Sequence, residues 1–206
     1  MPQDCRVSST IATLTLAVKA LTPGAQPSSW LREALAEEKD SEPRPLKGDI
    51  NADVVIIGGG FTGLWTAYHL TLAQPDLKVV VLEQDICGGG PSGRNGGFAS
   101  GWWDELDGLL ALYGEEDAVR ACRAISASIK GIGEFCDAHQ VDTWYRRAGY
   151  LFAATARQHE VACREMVELA RKVGAPDELR ELTASEVNAR CASPAFRTGA
   201  FMADGA

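Results

Sequence analysis

The sequence contains no Cys-x-x-Cys pair. Its six cysteines, Cys5, Cys87, Cys122, Cys136, Cys163 and Cys191, are scattered, which excludes a zinc ribbon or a disulfide framework and reads as reduced thiols in a cytoplasmic setting. A long apolar run is also missing. Ile11 to Leu21 is mildly apolar, but Lys19 interrupts it and the stretch is too short to span a bilayer. Asp4 offsets Arg6, so the basic region of a signal peptide is absent and residues 1–27 read as a loosely ordered extension. Basic residues are scarce: 20 Lys and Arg stand against 28 Asp and Glu, a formal charge of −8 without basic clusters. That balance argues against nucleic acid and against anionic membrane surfaces as partners. Three histidines, His69, His139 and His159, lack metal-ligand neighbours in the sequence and read as structural, so no metal is expected. There is no G-x-S-x-G nucleophile elbow, and no glycine loop ends in Lys-Ser or Lys-Thr as a P-loop does.

What is present concentrates between Asp53 and Gly97. Val54 to Ile57 is a continuous β-branched run, as expected of a parallel strand buried on both faces. Gly58, Gly60 and Gly63 follow in G-x-G-x-x-G spacing, with Phe61 and Thr62 between them. In such a turn the first glycine permits the bend, the second lets a pyrophosphate approach the backbone, and the third lets the helix pack on the strand. The helix then aims its free N–H groups and positive dipole end at the phosphates, and Thr62 adds a hydroxyl. Glu83, followed by Gln84, closes the second apolar run, Val79 to Leu82, at 20 residues beyond Gly63. A carboxylate at that offset accepts from a ribose hydroxyl and repels a 2′-phosphate.

A second glycine-rich stretch begins at once. Gly88 to Gly97 holds six glycines together with Pro91, Ser92, Arg94 and Asn95, a composition that disfavours a helix. Its backbone N–H groups, guanidinium and amide suit a second contact with an extended anionic ligand, although a flexible surface loop has the same composition.

The motifs GGGFTGLWTAYHL, VVVLEQDICGGGPSGRNGG and SSWLREAL together resemble the N-terminal half of the FAD-dependent D-amino-acid oxidase-like oxidoreductases. The nearest likeness is to the gamma-glutamylputrescine oxidase-like branch. It covers the chain from about Ser28 onward and is strongest from Asp53 to Trp103. The resemblance implies FAD as cofactor, held by the first turn, by Glu83 and Gln84, and by a loop from Ser92 through Arg94, Asn95 and Gly96 to Gly97 running along the pyrophosphate. It implies oxidation of a small amine or amino acid, and it places the catalytic groups beyond Ala206, in a half that this sequence does not contain. The expectation is thus a truncated chain without an identified catalytic acid or base. An NAD-dependent dehydrogenase and a non-catalytic nucleotide-binding fragment are the alternatives.

The expected fold class is α/β: a Rossmann-like FAD-binding βαβ domain with a parallel sheet, then the beginning of an α+β substrate domain. Residues 28–52 read as a short serine-capped helix and a charged, proline-bearing connector. Residues 53–140 read as the FAD-binding part with long helices, whose apolar face includes Leu106, Leu109, Leu110, Tyr113, Ala118, Cys122, Ile125, Ile129, Ile132 and Cys136. Residues 141–206 read as the partial substrate domain. Trp102 and Trp103 fit either a cavity wall or the core. TWYRRAGYLFAA suggests two short strands around Gly149, with Arg146 and Arg147 on a solvated face or facing a carboxylate. Thr155 with Gln158, and Thr183 with Glu186, have capping-box spacing, and Leu182 and Val187 are placed as a staple for the second helix.

Overall fold

The computed structural model describes residues 15–17, 27–38 and 45–206. They fall into two compact units, Met1–Gly96 and Gly97–Ala206.

In the first unit the elements are β1 (Thr15–Ala17), α1 (Ser29–Glu37), β2 (Val54–Ile57), α2 (Phe61–Ala73) and β3 (Val79–Leu82). The strands form one parallel sheet in the order β1-β3-β2. Residues 15–17 therefore form a strand, in contrast to the loose extension expected there, because the far edge of β3 offers them ladder partners. The rest of 1–26, and 39–44 of the connector, lie outside the described residues. Ser28 caps α1 as expected, its hydroxyl accepting from Leu31 N–H at 3.1 Å.

Val79, Val80 and Val81 have no exposure, whereas Val55 and Ile57 of β2 are 53% and 88% exposed. The both-faces-buried reading thus fits β3 and fails for β2. On β2 only Val54 and Ile56 join the core, packing with Ala67, Val79, Val81 and Leu70 beneath α2. Position in the sheet explains the difference: β3 is central and β2 lies at an edge.

The second unit holds α3 (Leu106–His139), β4 (Tyr150–Ala154), α4 (Arg157–Lys172), β5 (Leu179–Leu182), α5 (Ala184–Arg190) and β6 (Thr198–Met202). Its sheet is antiparallel in the order β4-β6-β5. Helix α3 was expected to belong with the nucleotide part, within 53–140. It belongs instead to this unit, because Leu106, Ala118 and Cys122 share a core with Val167, Leu179 and Met202. Gly114 kinks α3 at φ 76, ψ 172. The kink interrupts the apolar face: Tyr113 is 62% exposed, and burial resumes at Ala118.

Only the second half of TWYRRAGYLFAA is a strand. β4 finds its partner in β6, with Tyr150 opposite Met202 and Ala154 opposite Thr198. Residues 143–148 have no such partner, and Trp144 adopts φ 55. Thr155 does not open a capping box either: the cap of α4 is Ala156, and the Thr155 hydroxyl meets His159 Nδ1 at 3.2 Å. Thr183 and Glu186 do form theirs, with Thr183 N–H donating to Glu186 Oε2 at 2.8 Å and Glu186 N–H to Thr183 Oγ at 3.3 Å. Leu182 and Val187 are both buried beside it.

Five cysteines lie among the described residues, all as free thiols. Burial, helped by Asp104, pushes the Cys122 thiol from 9.0 up to about 11. Since its folded-state value is raised, this contribution to stability is complete below pH 9 and is lost as pH climbs from 9 to about 11. Wild type is expected to lose urea resistance over that window more steeply than Cys122→Ala. Parallel curves for the two proteins would show that folding does not raise the Cys122 pKa.

Candidate nucleotide-binding site

The sheet register builds the site. Ile57 pairs with Leu82, and Gly58 N–H extends the ladder by donating to Leu82 O at 2.8 Å. The glycine turn and Glu83 therefore leave adjacent strands side by side. Glu83 Oε2 accepts from Gly59 N–H at 2.7 Å and Oε1 from Asp85 N–H at 3.1 Å. The carboxylate thus braces the turn and the start of the next loop at once, a role the sequence did not indicate. An acceptor held at this place still has lone pairs for a ribose hydroxyl.

The glycines are required by close approach. Gly58 sits at φ 105, a region that favours glycine. A Cβ on Gly63 would run into the Gly58 carbonyl oxygen, and one on Gly59 into Cys87 Sγ. Gly60, the N-cap of α2, has ordinary extended geometry (φ −84, ψ −178). Its restriction comes from its neighbour, since a Cβ there would stand 2.9 Å from Ser92 Oγ.

That neighbour belongs to the second loop, which folds back on the first. Gly88 N–H donates to Gly59 O at 3.0 Å, and Phe61 N–H donates to Ser92 Oγ at 3.0 Å. Pro91–Gly93 forms a short 3-10 turn, an ordered element where a glycine-rich loop was expected. The polar side chains hold the loop's own shape: Asn95 Nδ2 donates to Ser92 O at 2.7 Å and Arg94 Nε to Gly89 O at 3.2 Å. Trp30 of α1 adds an indole N–H to Asn95 O at 3.1 Å. No local pattern announces that bond, which joins residues 65 apart.

Phe61, Thr62 and Gln84 are exposed along this rim, and Gly96 ends the unit. Gly97 opens the second unit with φ 80. Cys87 is half-buried against Gly59. Burial first, then the Glu83 and Glu38 carboxylates, push its thiol up and keep it protonated.

In the second unit Trp103 is a core residue, its indole N–H donating to Ser126 Oγ at 3.1 Å, whereas Trp102 is 44% exposed. Arg147 does not simply face solvent: its Nη2 donates to the buried Asp204 carboxylate at 3.1 Å, while Arg146 is exposed. His69 stacks on Trp65 and His139 lies against Phe135. Among the described residues no His, Cys, Asp and Glu cluster has a metal-holding arrangement, and no helix is long and apolar enough to cross a membrane.

The Glu83 brace makes a direct prediction. Glu83→Gln leaves one carbonyl acceptor and turns an NH2 group towards a backbone N–H, so urea unfolding should show a loss of about 1–3 kcal/mol. An unchanged midpoint would mean that the carboxylate does not hold the turn.

Residues 53–206 match the family described as FAD dependent oxidoreductase (DAO). The gamma-glutamylputrescine oxidoreductase of Escherichia coli (strain K12) is 35% identical over 114 residues, covering 55% of this chain and 26% of that protein. A probable oxidoreductase, OrdL, of Rhizobium meliloti (strain 1021) is 37% identical over 120 residues, again covering 55% of this chain and 26% of the relative. The crystal structure of glycine oxidase from Geobacillus kaustophilus superposes with a TM-score of 0.53 at 22% identity, over 75% of this chain and 40% of the oxidase. The match thus spans about a quarter of the length of the two curated relatives. Glycine turn, acid and second loop all fall inside the matched residues, and the chain belongs to the DAO family of FAD-dependent oxidoreductases.

Proposed function

We propose that this chain is the FAD-binding part of an oxidoreductase that acts on a small amine or amino acid. The observation that carries the proposal is the turn Gly58–Gly63, braced by Glu83 and built so that added Cβ atoms on Gly59, Gly60 and Gly63 meet protein atoms. The residues fit a dinucleotide. The first N–H groups of α2, from Phe61, Thr62 and Gly63, lack partners within the helix and suit a pyrophosphate. Glu83, with Gln84 beside it, suits the adenosine ribose. The loop Ser92–Gly96 closes over the same helix start, with Arg94 as its cation.

FAD, when bound, supplies the two-electron oxidation of the carbon bearing the amine. The described residues bind and orient it. The reading of an amine substrate draws its support from a relative that is named for gamma-glutamylputrescine.

The test is a visible spectrum of the purified chain after incubation with FAD and removal of free ligand. A retained flavin band is expected. A folded but colourless protein, stabilised against heat by NAD and not by FAD, would overturn the cofactor assignment.

A further inference from the structure

Phe201 stands in the middle strand of the second sheet, and its neighbours Ala200 and Met202 are buried in the core shared with α4. Alternation along the strand therefore turns the Phe201 ring to the opposite face. A Cβ on Gly149 would run into that ring, so the ring is seated against bare backbone. Two guanidiniums share it. Arg180, directly opposite on β5, lies 5.1 Å from the ring centroid, and Arg190, at the end of α5, lies 5.4 Å from it. Both arginines are exposed. Glu186 holds the pair in place without neutralising it. Its Oε2 accepts from the Thr183 N–H and hydroxyl at 2.8 Å each, and its Oε1 stays 3.7 Å from Arg180 Nη1, beyond hydrogen-bond distance. Its backbone carbonyl accepts from Arg190 Nη1 at 2.9 Å. Glu181 supplies no second carboxylate, because it lies beside Ala200 on the core face and reaches Arg164 at 3.8 Å.

We propose that Arg180 and Arg190, stacked on Phe201, form a docking point for an acidic segment of another protein, whose carboxylates take the outward N–H groups of the two guanidiniums. The chemistry selects the partner. Stacking on a ring fixes the plane of a guanidinium and leaves its edge to meet carboxylate oxygens in pairs. Like charges held on one ring repel, and a carboxylate bound between them relieves that repulsion. Two cations against the single Glu186 carboxylate leave a local positive excess in a chain of formal charge −8. An acidic segment therefore finds an attraction here that the average surface does not offer. Arginine beside an aromatic ring is also the composition that dominates binding energy at protein interfaces.

The experiment is fluorescence anisotropy of a labelled hexaglutamate peptide titrated with the full chain at low ionic strength. Binding is expected, and it should weaken as salt is added. Arg180→Gln and Arg190→Gln should each weaken it about 2- to 5-fold, the size of an exposed ion pair, and the double variant should weaken it further, all with wild-type circular dichroism. Arg164→Gln is the control. It removes the same charge from the opposite face of the same sheet, and should leave peptide binding unchanged. A wild-type chain that does not bind the peptide overturns the docking point. Equal weakening by Arg164→Gln also overturns it, since the peptide would then be responding to net charge alone.

Discussion

Gly60→Val is expected to abolish retention of FAD while leaving the chain folded. The backbone at Gly60 is extended, with φ −84 and ψ −178, a conformation that valine adopts readily. The obstacle is the space beyond it. One Cβ would already stand 2.9 Å from Ser92 Oγ, and valine adds two methyl groups. Overpacking of this kind costs about 1–3 kcal/mol of folding stability, less than the roughly 5–15 kcal/mol that keeps a domain folded. The methyl groups also stand where the pyrophosphate approaches the backbone, so flavin should be lost on gel filtration. Circular dichroism should remain that of wild type. Gly63→Ala makes the contrast: its Cβ meets the rigid Gly58 carbonyl rather than a mobile hydroxyl, so it should damage the fold before it damages binding. Wild-type flavin occupancy in Gly60→Val would mean that the pyrophosphate does not cross this turn.

The second large effect concerns Trp103. It has no exposure, its indole N–H is satisfied by Ser126, and it shares a core with Leu106, Cys122, Leu179 and Met202. Trp103→Ala removes the largest fully buried side chain among the described residues and should cost about 3–5 kcal/mol in urea unfolding. Trp102→Ala, at a side chain 44% exposed, should cost less than about 1 kcal/mol, as exposed substitutions usually do. Comparable losses from the two would show that the tryptophans share the core. Neither tryptophan could be assigned from the sequence, because a pair of adjacent aromatics carries no sign of which faces inward.

The legible features were those written within a few residues of one another. Ser28 and Thr183 cap their helices because a short hydroxyl reaches an N–H three positions on. The Thr155–Gln158 spacing has the same form, yet α4 starts one residue later and the hydroxyl turns to His159. The spacing is necessary for a capping box, and the entry angle of the chain decides whether it closes. The helical period placed Ala118, Cys122, Ile129 and Cys136 on one buried face correctly. It could not say which unit that face covers, and β5, with exposed Arg180 and Glu181 between buried Leu179 and Leu182, gave no strand pattern at all.

The sequence by itself determined the turn, the acid and the family. Glycines at 58, 60 and 63 between a β-branched run and a helix, with Glu83 at the end of the next run, specify a βαβ nucleotide unit through local sterics alone. Tertiary structure decided which atoms meet. Glu83 reaches Gly59 across 24 residues and Ser92 reaches Phe61 across 31. Those contacts follow from the pairing of Ile57 with Leu82 and from the fold-back of the second loop. Spacing along the chain fixes what a residue can do with its near neighbours, whereas strand register fixes which distant residues become neighbours, and only the folded sheet supplies that register.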